Sequence, residues 1–220
     1  MSIYILMKIL ESSPQRYDTG IRIITLGRLD QVYDQLISHV KKGRKILDIG
    51  CGTGALTVKA AQKGAIVKGI DVNPSMLEIS QKKANELNLE NVEFQEMGVA
   101  ELDTEQNETY DIVLSGLCFS ELTYDELLYT LKEVNRILKP DGRLLVADEV
   151  LPGNVLKRIL TQIVRIPLLI ITYVIAQTTT KPIKGLEEMV EKSGFVIESA
   201  KLNRMENFIT LVCRKEGYHE

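Results

Sequence analysis

The sequence predicts an α/β protein built on a doubly wound, seven-stranded sheet, mostly parallel and closed by a C-terminal antiparallel hairpin. Three observations lead there. Short apolar runs alternate with amphipathic helical stretches through the first two thirds of the chain, the order that gives parallel strands with helices on both faces. The last two strand candidates are joined by a short polar turn, whereas a parallel crossover needs about a dozen residues or more. The 220 residues, 45% hydrophobic and 26% charged, suit one globular domain with a sizeable core.

The elements follow in order. Arg28 to Lys41 sets Leu29, Val32, Tyr33, Leu36, Ile37 and Val40 at helical spacing. Lys45–Ile49 reads as a buried strand and Ala55–Gln62 as a helix. Ile66–Ile70 is a second strand, and Pro74–Leu87 a helix opened by an Asn73 cap with proline at its first position. Val92–Gln95 and Tyr110–Ser115 are the third and fourth strands. Tyr124–Leu138 reads as a helix stopped by Pro140, and Arg143–Ala147 as the fifth strand. Leu156–Ala176 is long and apolar, Leu186–Ser193 is a short helix ended by Gly194, and Phe195–Lys201 and Phe208–Arg214 close the sheet. With no repeat, low-complexity tract or linker, residues 1–220 read as a single domain, with an N-terminal helical lid over 1–43 and a helical insertion over 151–185.

Composition narrows the function. Lys plus Arg number 27 against 30 Asp plus Glu, a net charge of −3, so nucleic acid as a partner lacks its usual electrostatic support. Cys51, Cys118 and Cys213 lie far apart with no CxxC pair, and the histidines are His39 and His219. Neither a zinc site nor a disulfide framework is expected. The start, MSIYILMKIL, is broken by Lys8 and runs into Glu11, without a basic leader or a small-residue cleavage site. A cytoplasmic protein is the expectation.

The chemistry concentrates in Ile46-Leu47-Asp48-Ile49-Gly50-Cys51-Gly52-Thr53-Gly54, a buried strand that ends in alternate glycines and passes directly into a helix. Glycines let a backbone turn tightly and approach a ligand without a Cβ in the way. Asp71 ends the second strand, where doubly wound folds place an acid that binds ribose hydroxyls; capping the next helix would be its plain alternative, which Asn73 already fills. Asp48 lies inside the strand. Burying its carboxylate is costly unless a cation or several donors meet it, a need that an ammonium-bearing cofactor satisfies and a pyrophosphate does not.

On these residues the chain resembles the class I S-adenosylmethionine-dependent methyltransferases over essentially its whole length, with their Rossmann-like sheet. ILDIGCGTG (46–54) is similar to their first motif, GIDVNPSML (69–77) to their ribose-acid segment, YDIVLSGLCFSEL (110–122) and LKPDGRLLVADEV (138–150) to their fourth- and fifth-strand motifs. Within the class, LESSPQRYDTGIRIITLGRLDQVYD (10–34) and TTTKPIKG (178–185) most resemble the corrinoid protein-associated methyltransferases, with a looser similarity to the quinone-biosynthesis enzymes.

The resemblance implies a cofactor, S-adenosylmethionine, with S-adenosylhomocysteine as product. It implies that Gly50, Cys51, Gly52 and Gly54 wrap the methionine part, that Asp48 sits near the ammonium group, and that Asp71, followed by Val72, holds the ribose. Met76 would pack on the adenine, and Ser115, Gly116 and Leu117 would lie along the cofactor. Tyr17 resembles a lid tyrosine of some members, and a packing tyrosine reads equally well. The family often ends strand three in Gly-Asp, with the acid on the adenine amino group; here Met97-Gly98 stands there, and backbone groups of Gly98 and Val99 are the expected replacement.

Methyl transfer from a sulfonium is an in-line displacement in which positioning supplies much of the rate, so a base is needed only where the acceptor loses a proton. Glu121, Asp148 and Glu149 are the candidates, with Glu149 favoured among the three, although an acid that caps or pairs with a nearby helix is the better reading of it. Cys118 reads as a small buried residue, since no cation flanks it. The acceptor is a small molecule or a corrinoid-linked group. Ile166–Ala176 is too short to span a bilayer, which needs about 20 apolar residues; together with Leu156–Val164 it reads as an acceptor lid, a peripheral membrane or dimer contact, or plain core. Two other functions compete: a non-catalytic accessory that binds a corrinoid protein or membrane component, and a nicotinamide-dependent oxidoreductase, which lacks a hydride-transfer set here.

Overall fold

A computed structural model describes residues 28–160 and 182–217. Tyr17 and most of the apolar stretch, from residue 161 to Ala176, lie outside them.

The chain enters through helix α1 (Arg28–Ile37), whose Leu29, Tyr33, Leu36 and Ile37 are buried. Strands β1 (Lys45–Ile49) and β2 (Ile66–Asp71) flank helix α2 (Ala55–Gln62). Helix α3 (Pro74–Glu86) is opened by the Asn73 side chain accepting from the Ser75 N–H, the cap that the Asn-Pro pair predicts. Then come β3 (Val92–Glu96), a 3-10 turn at Val99–Thr104, β4 (Tyr110–Gly116), a second 3-10 turn at Phe119–Glu121, and helix α4 (Tyr124–Ile137). Strand β5 (Leu138–Glu149), helix α5 (Leu186–Lys192), and strands β6 (Phe195–Leu202) and β7 (Phe208–Lys215) complete the domain.

All seven strands form one sheet in the order β3-β2-β1-β4-β5-β7-β6. The first five are parallel neighbours; β7 pairs antiparallel with both β5 and β6, which is the predicted hairpin. The order reverses between β1 and β4, which places their carboxyl ends beside a crevice, the position where open α/β sheets bind ligands.

The start of β5 differs most from the sequence reading; α1 also ends at Ile37, four residues before Lys41, and other ends move by a residue or two. The fourth helix stops at Ile137, and Leu138 is already extended (φ −71, ψ 138), so β5 runs through Pro140 instead of starting after it. The β4–β5 register jumps from Tyr110↔Leu138 to Ile112↔Arg143. Residues 139–142 thus sit at an irregularity where the ladder needs no donor, and a proline costs nothing there.

The core has two layers, as strand alternation demands. Leu47 and Ile49 of β1 pack with α4 and α5 residues such as Leu131, Val134, Leu186 and Val190. Ile46 points the other way, into a cluster with Leu36 of α1 and Leu56 and Ala60 of α2. By the same alternation Asp48 shares the face of Ile46, toward α2.

Candidate functional site

The C-terminal edge of the sheet carries two clefts, of about 450 and about 390 Å³, each within the range of roughly 300–1,000 Å³ typical of small-molecule sites. Gly50, Gly52, Gly116 and Leu117 line both, so the glycine loop and the end of β4 form the ridge between them. The first cleft adds Asp71, Val72, Met76, Gly98 and Val99, together with Met97, Leu122, Glu121 and Glu126. The second adds Cys51 and Gly54 with Leu29, Asp30 and Tyr33 of α1 and Lys59 and Lys83.

The loop is built by its glycines for different reasons. Gly50 (φ +67) would place a Cβ 2.5 Å from Cys118, so its bareness serves packing. Gly52 (φ +54) would direct a Cβ into open space, so its bareness keeps the cleft open. Leu117 at the end of β4 also has a left-handed backbone (φ 63), uncommon for a branched side chain, fixed by its N–H donating to the Ala147 carbonyl at 2.8 Å.

Asp71 is tied into this loop. Its Oδ2 accepts from the Gly52 N–H and its Oδ1 from the Asn73 N–H, both at 2.8 Å. Each carboxylate oxygen keeps further acceptor capacity toward the cleft it lines. Gly98 behaves differently from the expectation: its N–H donates to Glu101 Oε1 at 2.9 Å and is already engaged.

Asp48, Ser115 and Glu149 are buried and line neither cleft. Asp48 is 1% exposed; Thr57 Oγ1 donates to its Oδ2 at 2.6 Å, while Oδ1 has no hydrogen-bond partner among the described residues. Burial pushes its carboxyl up to about 7 against the lowering effect of the Thr57 bonds. Ser115 Oγ is likewise buried without a partner among the described residues. Asp148, next to Glu149, is also pushed up to about 7 by burial, although the Ser120 and Glu149 N–H groups donate to it at 3.2 and 2.7 Å. Glu149 holds the base of the insertion through its carbonyl, which accepts from the Ile183 N–H at 3.1 Å. The acid that does line the first cleft, among the sequence candidates, is Glu121. Burial raises the Cys118 and Cys51 thiols well above their ordinary range, which suits packing and not nucleophilic chemistry.

Sequence reasoning missed Tyr33 and Lys83. Tyr33 reaches Gly116 across the fold: a Cβ there would meet its hydroxyl at 2.8 Å. Lys83 belongs to a stripe on α3, Met76, Ser80 and Lys83, continued by Leu87 at the helix's C-terminal cap, whose spacing of four, three and four residues is the one usable signal in the sequence.

A glycine loop leaving one strand, an acid ending the next, and a crevice at the carboxyl edge of a doubly wound sheet define a cofactor-binding α/β domain. The family model described as "Methyltransferase domain" matches residues 40–167. The demethylmenaquinone methyltransferase of Bacillus cytotoxicus is 30% identical over 64% of this chain and 60% of its own length. The ubiquinone/menaquinone biosynthesis C-methyltransferase UbiE of Blochmanniella floridana is 30% identical over 71% of this chain and 63% of its own. The chain thus spans under two thirds of the length of these curated relatives. Among solved structures, the magnesium protoporphyrin IX methyltransferase ChlM of Synechocystis, crystallised with bound SAH, superposes with a TM-score of 0.67 at 21% identity, over 89% of this chain and 85% of that one, which is a likeness of fold. The chain belongs to the methyltransferase domain family, whose methyl donor is S-adenosylmethionine.

Proposed function

We propose that this protein transfers the methyl group of S-adenosylmethionine to a small apolar acceptor of the quinone class. One observation carries the reading: the glycine loop separates a cleft that ends in the Asp71 carboxylate from a second one, so donor and acceptor have adjacent places on one ridge. The residues fit such a donor. Asp48 Oδ1 is a buried carboxyl oxygen with no hydrogen-bond partner among the described residues, a group whose ionised form a nearby cation would complement, and the open space beyond Gly52 is where a ligand approaches the backbone.

In this reading Asp71 holds the ribose hydroxyls, Val72, Met76 and Val99 enclose the adenine, Gly50, Gly52 and Gly116 pass along the methionine part, and Asp48 balances its ammonium. The bound donor supplies an electrophilic methyl on a sulfonium. The chain's own residues then align the two partners and exclude water. Where the acceptor must lose a proton, Glu121 lines the first cleft together with Gly116 and Leu117, the ridge residues that both clefts share, whereas Glu149 lines neither.

The acceptor class is supported by the apolar side chains Leu29, Val58 and Leu117 in the wall of the second cleft and by the names of the two relatives. A second reading, methyl transfer linked to a corrinoid protein, rests on segments 10–34 and 178–185, which lie largely outside the described residues. The test is formation of S-adenosylhomocysteine from labelled donor, with a demethylated menaquinone analogue or with a reduced corrinoid protein as acceptor. Turnover with the quinone alone is expected. Turnover with the corrinoid alone replaces the acceptor assignment, and tight donor binding with no turnover on either overturns the catalytic reading in favour of an accessory role.

A further inference from the structure

The glycine loop is gripped from one side by α3. Ser80, fully buried, donates its hydroxyl to the Gly52 carbonyl at 2.7 Å, with the Met76 carbonyl of its own helix at 3.0 Å. One turn on, Lys83 Nζ donates to the Thr53 carbonyl at 2.8 Å. A Cβ at Gly54 would stand 3.1 Å from the Ser80 Cβ, so the helix and the loop are in close contact along this line. Gly52 is therefore held at both of its polar groups, its N–H by Asp71 and its carbonyl by Ser80. These are long-range bonds, spanning 28 residues from Ser80 and 30 from Lys83, and they fall on Gly52, which lines both clefts, and Thr53, which lines the second.

From this arrangement we infer that Ser80 and Lys83 are positioning residues: they fix the left-handed glycine loop in its ligand-ready shape before the cofactor arrives. The inference rests on the cofactor assignment above. A free loop of alternate glycines samples many conformations, and ordering it on binding subtracts from affinity. Two side chains that hold its carbonyls in the unliganded protein move that cost into folding. Neither residue needs to touch the ligand. Ser80 is enclosed, and Lys83 lines the second cleft while its ammonium group is engaged by the Thr53 carbonyl.

The experiment is calorimetric titration of the full chain with S-adenosylhomocysteine, beside thermal melts and amide exchange of residues 50–54 without ligand. Ser80→Ala and Lys83→Met are each expected to raise Kd about tenfold, the loss of roughly one hydrogen bond's net worth, and to speed exchange in the loop while β4 and β5 exchange as before. Lys83→Arg, which keeps a donor, should restore affinity to within about threefold of the wild type. Lys83 is partly exposed, so its variants report even if Ser80→Ala folds poorly. Wild type that binds while Ser80→Ala and Lys83→Met bind equally well overturns the inference and leaves the cofactor assignment standing. Arginine at 83 as weak as methionine also overturns it. Wild type that binds no S-adenosylhomocysteine overturns both.

Discussion

At Asp71 a single carboxylate does structural and ligand work together, accepting from the Gly52 and Asn73 N–H groups while lining the first cleft. Asp71→Ala is therefore expected to weaken S-adenosylmethionine binding by about 1–3 kcal/mol, through lost charge-assisted bonds to ligand and loop alike; calorimetry on the folded variant reads it. Gly52→Val should abolish binding while the sheet still folds. Its branched side chain would enter the open cleft from a backbone at φ +54, where a residue with a Cβ costs roughly 1–2 kcal/mol. Circular dichroism and ligand titration on the same sample separate the two effects. Both residues were legible in the sequence because each combines an unusual residue type with a fixed place after a strand. Asp48 was legible as a buried acid, but its direction was not: β1 alternation turns it toward α2 and Thr57. The engaged N–H of Gly98 was invisible as well, since it depends on Glu101 folding back within a 3-10 turn.

At the scale of elements, the spacing of apolar residues located the strands closely, and caps located helix ends. The strand ends shifted by a residue or two, because hydrogen-bond register is a property of the neighbour. The exception at Pro140 arose where β4 and β5 fall out of register, which no local pattern encodes. The approach of α1 to β4 is another long-range fact. A Cβ at Gly116 would meet Leu56 Cδ1 and the Tyr33 hydroxyl, both at 2.8 Å. Gly116→Ala should accordingly lower stability by about 1–3 kcal/mol through overpacking, displacing α1 from the second cleft; urea unfolding measures it. The helix α4 start is a capping box, with Glu126 Oε2 accepting from the Thr123 N–H at 2.8 Å and its hydroxyl at 2.7 Å. Thr123→Ala is expected to cost about 1 kcal/mol by the same measurement.

Across the whole molecule, two buried carboxyls set an unusual pH response. Asp48 and Asp148 are both raised by burial to about 7, far above an unfolded aspartate near 3.9. The folded state thus holds their protons more tightly than the unfolded chain. Their contribution to stability is full at low pH, declines as pH rises from about 4, and is lost once pH exceeds about 7. Asp111, whose carboxyl is held low by Lys139, the Lys45 N–H and Arg44 despite partial burial, acts in the opposite sense and loses its contribution below its unfolded value. Melting temperatures measured from pH 5 to 8 should fall with rising pH, and Asp48→Asn should flatten that slope, stabilising more at pH 8 than at pH 5.

The end of β5 has a consequence for how this domain diversifies. Val150 forms a parallel bridge with Ile183, the Leu151 N–H donates to the Ile183 carbonyl at 2.9 Å, and the Val150 N–H donates to the Asn207 carbonyl at 3.2 Å. The chain leaves the sheet and returns to it through one stitched neck. Whatever lies between is, to the sheet, a detour whose length enters only logarithmically. Replacing residues 152–182 by a short glycine-serine tie is therefore expected to leave S-adenosylhomocysteine affinity unchanged in a calorimetric titration, with the strands still folded by circular dichroism.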